Sequence, residues 1–240
     1  MRLRQLFPIL FILVILLLAI QAIRYELRDT SLQQVWQSIQ LIPLDHLSGA
    51  LLLTLLGYLT VTGYDLLGFQ YIRRSLEPIK IIFTSFLSYA IGNTIGFTIF
   101  SGGAIRYRFY TPWGVSAIDV AKLVAFTHLS FWLGMLALGG VVFLIDPLTI
   151  PQILHLPFAS LHPIGILFLI ITAVYLLLSV QLKQPLRIRQ EEFTLPSAPL
   201  SVGLIVLSAI DWMLAAGVLY LLMPIPMPIS YFSFFGIYVL

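Results

Sequence analysis

Two carboxylates, Asp65 and Asp211, fall inside long apolar stretches, and the run Ser101-Gly-Gly-Ala-Ile-Arg106-Tyr-Arg108 closes another. A charge at membrane depth is costly, so it is kept for a task or paired with a partner. Asp211 lies about halfway along its stretch and Asp65 nearer the end of its own. Two chemistries are open to them. Each either pairs with Arg106, Arg108 or Lys122 and fixes helix packing, or faces a cavity and binds a cationic group. The Ser101–Arg108 run offers the complement. Gly102 and Gly103 let backbone approach a ligand, successive N–H groups from Ser101 to Gly103 can form an anion nest, and Arg106 and Arg108 carry forked donors suited to phosphate. The plainer reading is that these arginines snorkel at the edge of an apolar segment. Asn93, Tyr107, Lys122 and His128 are candidates for lining the same cavity, and a lone histidine such as His128 can equally be a hydrogen-bonded packing element. His155 and His162 are not at metal-ligand spacing, and no Walker loop, His-Glu-x-x-His or Gly-x-Ser-x-Gly pattern occurs. With no cysteine either, neither a catalytic constellation nor a metal or cofactor site is expected.

The elements that must position these residues are membrane helices. Of 240 residues, 60% are hydrophobic and only 10% charged, with a mean hydropathy of +1.01. A soluble domain runs nearer 45–50% and 25%, and so little charge also excludes a solvated disordered chain. The expected fold is an all-α polytopic membrane protein forming one membrane domain. Stretches of about 20 apolar residues place spans near 6–23, 47–69, 123–145, 164–182 and 200–223. Ile20 at the −3 position to Ala22 is a poor cleavage site, so the first is read as an uncleaved span. Residues 29–42 alternate Leu32, Val35, Trp36 and Ile39 with a glutamine face, the pattern of an interfacial helix ended by Pro43. Ser116-Ala-Ile-Asp119 is a loose capping pattern ahead of the span from Leu123. Lys183–Glu192 reads as a solvated mixed-charge loop. The stretch from Ile229 reaches Leu240 without a polar flank, so the expectation is a domain cut inside a segment.

The sparse basic residues orient these elements. Lys and Arg concentrate in cytoplasmic loops. If 79–104 crosses the membrane, eight of the 13 fall outside and five inside, against the rule. If it dips in and returns, eleven lie inside and only Arg24 and Arg28 outside, with a cytoplasmic N-terminus. Gly92, Asn93, Gly96 and Gly102-Gly103 suit the second arrangement by interrupting a spanning helix. Broken backbone at that depth survives only against protein or a water-filled cavity, so a re-entrant helical hairpin over 79–104 predicts a cavity. A short internal repeat points the same way. Thr62-Gly-Tyr-Asp65, Pro78-Ile79, Phe83, Phe86 and Tyr89 align with Ser208-Ala-Ile-Asp211, Pro228-Ile229, Phe232, Phe235 and Tyr238. The two Asp-bearing spans then run in opposite directions, as in an inverted-repeat transporter, with 228–240 a partial second re-entrant element.

Gly63-Tyr-Asp65-Leu-Leu, Gly92-Asn-Thr-Ile-Gly96-Phe, Ser101-Gly-Gly-Ala-Ile-Arg106-Tyr-Arg108-Phe-Tyr and Phe131-Trp-Leu-Gly134, in that order, resemble the N-terminal membrane region of the lysylphosphatidylglycerol synthase/flippase family, the multiple peptide resistance factor (MprF) proteins. The resemblance covers most of residues 45–240. It implies a flippase region in a bacterial cytoplasmic membrane that moves an aminoacylated phosphatidylglycerol to the outer leaflet, giving resistance to cationic antimicrobial peptides. In that family a cytoplasmic synthase domain, absent here, makes the lipid from aminoacyl-tRNA. Arg106, Arg108 and the Ser101–Gly103 backbone would then hold the phosphate, and Asp211, with Asp65, the ammonium. Two other readings stand beside this one. The chain is the membrane part of a phosphatidylglycerol lysyltransferase delivering lipid to a distant site, or an anchor and homo-oligomerisation scaffold without a site.

Overall fold

A computed structural model describes residues 31–147, 160–182, 186–188, 191–223 and 229–240, with isolated positions 17, 20, 21, 24 and 25. The expected span at 6–23 lies largely outside the described residues. Eight α-helices are described: α1 (Leu32–Gln40), α2 (Leu44–Tyr71), α3 (Pro78–Ile95), α4 (Thr98–Tyr110), α5 (Ala117–Ile145), α6 (His162–Gln181), α7 (Ala198–Leu222) and α8 (Tyr231–Val239). Helices α2, α5, α6 and α7 are long and apolar enough to cross a membrane. The 28-residue α2 rises about 42 Å at 1.5 Å per residue, more than the ~30 Å of hydrocarbon it must span. The protein is an all-α polytopic membrane protein. The connector expected as a loop contains one short antiparallel hairpin, β1 (Leu186–Ile188) with β2 (Glu191–Phe193), in which Leu186 pairs with Phe193.

Local chemistry explains the helix boundaries. The Ser31 hydroxyl accepts the Gln34 N–H at 3.1 Å while the Gln34 side chain accepts the Ser31 N–H at 2.7 Å, a reciprocal cap that starts α1. Ser116 caps α5 by accepting the Asp119 N–H at 3.1 Å. The Asp119 carboxylate does not reach back as a capping box requires; it takes the Arg74 guanidinium at 3.0 Å.

Helices α3 and α4 form a helical hairpin, and its break is narrower than the sequence suggests. Only Gly96 (φ 84°) and Phe97 (φ 49°) leave helical geometry. Gly92 and Asn93 lie inside α3, and Gly102 and Gly103 inside α4. Both ends of the hairpin lie at one end of the bundle. The Tyr110 hydroxyl donates to the Ile81 carbonyl at 3.3 Å, and the Phe69 and Tyr110 rings meet edge to face at 5.0 Å. That end also holds the start of α5, tied to the end of α2 through Arg74 and Asp119.

Helix α7 lies antiparallel along α2. At one end His46 Nδ1 meets the Leu221 carbonyl at 3.0 Å, and at the other the Tyr71 hydroxyl donates to the Thr194 carbonyl at 2.8 Å. Helix α5 packs on α7 at Gly134, where a Cβ would sit 2.1 Å from the Ser208 Cβ. Close approach here needs glycine, as in other membrane helix pairs. Buried apolar clusters follow the bundle: Phe69, Ile81, Tyr110 and Leu123, then Val61, Tyr64, Phe126 and Leu204, then Val142, Ala216, Phe234 and Phe235. Large apolar side chains also face outward, such as Leu51, Leu55 and Leu59 on α2 and Leu167, Ile170 and Leu177 on α6. Lipid rather than water is the solvent that accepts them.

Candidate functional site: an acidic cavity beside a buried ion pair

The two carboxylates singled out by the sequence have different surroundings. Asp65 and Arg106 are both fully buried and bind each other. Arg106 Nε donates to Oδ1 and Oδ2 of Asp65 at 3.1 and 2.9 Å, and Nη2 donates to Oδ1 at 2.7 Å. The Tyr110 hydroxyl adds a 2.7 Å bond to Oδ2. Tyr89 places its ring 4.8 Å from the guanidinium carbon, a cation–π contact. Arg106 Nη1 is buried without a hydrogen-bond partner. So Arg106 and Asp65, assigned by the sequence reading to opposite ends of a lipid headgroup, neutralise one another and join α2 to α4.

The rest of the Ser101–Arg108 run serves the hairpin. Ser101 donates its hydroxyl to the Gly96 carbonyl at 2.9 Å, closing the turn. Gly102 and Gly103 are helical, so their N–H groups point along α4 rather than forming an anion nest. A Cβ at Gly102 would come 3.0 Å from the Ser88 carbonyl oxygen, so this glycine lets the two arms touch. Arg108 is exposed in the last turn of α4, where a cation complements the helix dipole.

Asp211 instead lines a cavity of about 470 Å³. The Tyr64 hydroxyl donates to its Oδ2 at 3.3 Å. Among the described residues Asp211 makes no ion pair. Val61 of α2, Tyr89 and Asn93 of α3, Phe97 to Phe100 at the hairpin turn, Thr127, His128, Phe131 and Trp132 of α5, Trp212 and Ala215 of α7, and Tyr238 of α8 complete the walls. Tyr89 and Tyr238, the tyrosines aligned by the short repeat expected from the sequence, both line this space. The Phe131 carbonyl fixes α7 beside it by accepting from the Ser208 hydroxyl at 2.8 Å and the Trp212 indole N–H at 3.0 Å.

Two grooves adjoin the cavity. One, of about 510 Å³, runs between α4 and α5 over Gly103, Ala104, Tyr107, Ala121, Val124 and Ala125, and shares Ile99, Phe100 and His128 with the cavity. The other, of about 290 Å³, runs between α2 and α7 over Leu53, Gly57, Tyr58 and Val218, and shares Val61, Asn93, Asp211 and Ala215. Asp211 thus lines two of these spaces, the cavity and the α2–α7 groove.

Of the residues proposed as lining, Asn93 and His128 line the cavity and Tyr107 lines the α4–α5 groove. His128 Nδ1 meets the Val124 carbonyl at 2.8 Å, so one ring nitrogen is engaged within α5. Lys122 lines none of the three spaces. Sequence reading missed Tyr64, Tyr110 and the aromatic wall. Tyr110 follows Arg106 by four residues on one helix face, so local spacing carried a signal for it, whereas the partner of Tyr64, Asp211, lies 147 residues away and spacing carried none. Nothing in the spacing brings Trp132 to Trp212.

The sequence matches no family profile. It is 47% identical over 225 residues to the uncharacterized protein slr0712 of Synechocystis sp., an alignment covering 93% of this chain and 69% of that protein. It is 27% identical over 228 residues to the inner membrane protein YbhN of Escherichia coli, covering 95% and 69%.

Proposed function

The chain belongs to the same family as slr0712, and on that footing we propose that it is a lipid-translocating module of a bacterial cytoplasmic membrane, with its N-terminus in the cytoplasm. Its substrate is a phospholipid whose headgroup carries an ammonium, such as the aminoacylated phosphatidylglycerol implied by the resemblance to the MprF membrane region. One observation carries this reading: Asp211 stands without a cationic partner among the described residues, in a cavity lined by α2, α3, α5, α7 and α8. Crossing a bilayer is slow because a charged headgroup must leave water, and a carboxylate inside a protected cavity offsets that cost for a cation. The apolar α4–α5 groove, open beside the cavity, leaves a path for acyl chains to remain in lipid while the headgroup moves. In this reading Asp65 and Arg106 hold the hairpin that forms one wall, and Asp211 meets the substrate.

The test is translocation by the full chain in vesicles holding lysyl-phosphatidylglycerol in the inner leaflet, read by an amine reagent that cannot cross. Asp211→Asn should slow exposure at least about tenfold, the scale expected when one partner of a desolvated charge pair is lost. Asp211→Glu should retain part of the activity. Equal exposure by wild type and Asp211→Asn would overturn the assignment.

A further inference from the structure

We propose that the aromatic wall around Asp211 reads the chemical nature of the cation, favouring organic ammonium groups over hydrated metal ions. This deepens the translocation reading and rests on it only for the lipid as carrier of the ammonium. Four rings of that wall pack against one another. Phe131 and Trp212 stack at 4.6 Å between centroids, Trp132 lies 5.8 Å from Phe131 and 6.5 Å from Trp212, and Tyr238 lies 5.8 Å from Trp212 at 69°. All four line the cavity with Asp211. The Trp212 N–H is spent on the Phe131 carbonyl, so the indole is held in place and offers the cavity its apolar body.

The choice of cation follows from what the walls supply. A sodium or potassium ion gives up its water only for a shell of oxygens, and among the described residues the Asp211 carboxylate has one hydrogen-bonded oxygen neighbour, the Tyr64 hydroxyl at 3.3 Å. A primary ammonium, as on a lysyl headgroup, keeps three N–H donors, for which Asp211 is the charged acceptor on these walls, while its carbon chain and its charge gain from ring faces within about 6 Å. A quaternary ammonium has no donor to satisfy and gains from the rings alone. A carboxylate at one side and indole and phenol rings at the others therefore suit an ammonium that carries carbon. Elsewhere in the same chain a cation already uses such a face, Arg106 over Tyr89 at 4.8 Å.

The probe is tetramethylammonium chloride, followed by saturation-transfer NMR on the full chain in micelles, with sodium chloride at matched ionic strength as the control. Trp132 is 53% exposed, so changing it costs little packing. Trp132→Leu should weaken tetramethylammonium binding roughly tenfold, and Trp132→Phe by no more than about threefold, within the range of a desolvated cation–π contact. Incorporated fluoro-tryptophans should weaken binding in steps as fluorine withdraws charge from the ring. Lysyl-phosphatidylglycerol in mixed micelles should displace the probe. Wild-type affinity in Trp132→Leu with no fluorine trend would overturn the cage while leaving translocation through Asp211 standing. A clear trend in a protein that does not move lipid between leaflets would overturn the translocation reading and leave the cage. Failure of the lipid to compete would overturn a headgroup as the cage's ligand.

Discussion

Removing one partner of the Asp65–Arg106 pair strands the other charge out of water. Both side chains are fully buried, so Arg106→Ala should cost about 3–5 kcal/mol, read as a fall in unfolding temperature in detergent. Replacing both together by Leu and Met should recover most of that loss, because a buried pair exchanged for apolar side chains of like volume is often neutral. Asp211→Asn removes a charge that has no countercharge among the described residues, so it should leave unfolding unchanged or slightly raise it. If both aspartates behave alike in this assay, the division of labour drawn between them is wrong. The sequence brought both residues forward through one rule, that charge inside apolar sequence is costly. It left open which would be paired, because pairing depends on a contact 41 residues apart that spacing does not encode. Arg106 and Arg108 look alike in sequence, yet one is fully buried and the other exposed. Two positions along a helix are about 200° apart, and that rotation alone separates them.

At the scale of elements, glycine matters most where helices meet. Gly134→Ala would press a Cβ to 2.1 Å from the Ser208 Cβ and 2.9 Å from the Ala209 backbone nitrogen. Backbone must move to relieve it, so a loss of about 1–3 kcal/mol is expected, again read by thermal unfolding. Ser208→Gly in the same background should recover part of the loss, since it vacates the clashing atom. The four long apolar helices were legible because a chain this size can bury several apolar runs of spanning length only in a bilayer. The hairpin was legible too, from glycine content and charge placement together. Its single break at Gly96–Phe97 was not, since Gly92 and Gly102 look equally disruptive as sequence and are in fact packing positions inside helices. The β-hairpin at 186–193 was hidden by its own brevity, as three-residue strands leave no alternation to read.

Across the whole molecule, the antiparallel lie of α2 and α7 sets Asp65 and Asp211 on oppositely running helices, the relation an inverted repeat requires. The short α8 is held at its start by Asp146, which accepts from the Ser230 and Ser233 hydroxyls. Those donors favour the ionised form and hold the Asp146 carboxyl below its usual range. A depressed value in the folded state means the contribution is intact at neutral pH. It is lost only as pH falls below the ordinary carboxylate value, about 3.9, and through the lowered one. Hydrogen-exchange protection over 231–239, taken against the unfolded-chain rate at each pH, should thus hold from pH 7 to about 4 and fall below, while Asp146→Ala should have lost it at pH 7. The tip of the α3–α4 hairpin has a different sensitivity. Ile95, Phe97 and Phe100 stand largely uncovered there, though both ends of the hairpin lie at one end of the bundle. Rings so uncovered suit hydrocarbon better than headgroups or water, so the tip is expected inside the bilayer, with the hairpin's length matched to the membrane around it. Short-chain lipids would bring headgroups and water down onto those rings, a mismatch the protein must meet by tilting or by thickening its surroundings. The proposed translocation, measured in vesicles of graded acyl length, should slow on the thin side, so membrane thickness would set its rate.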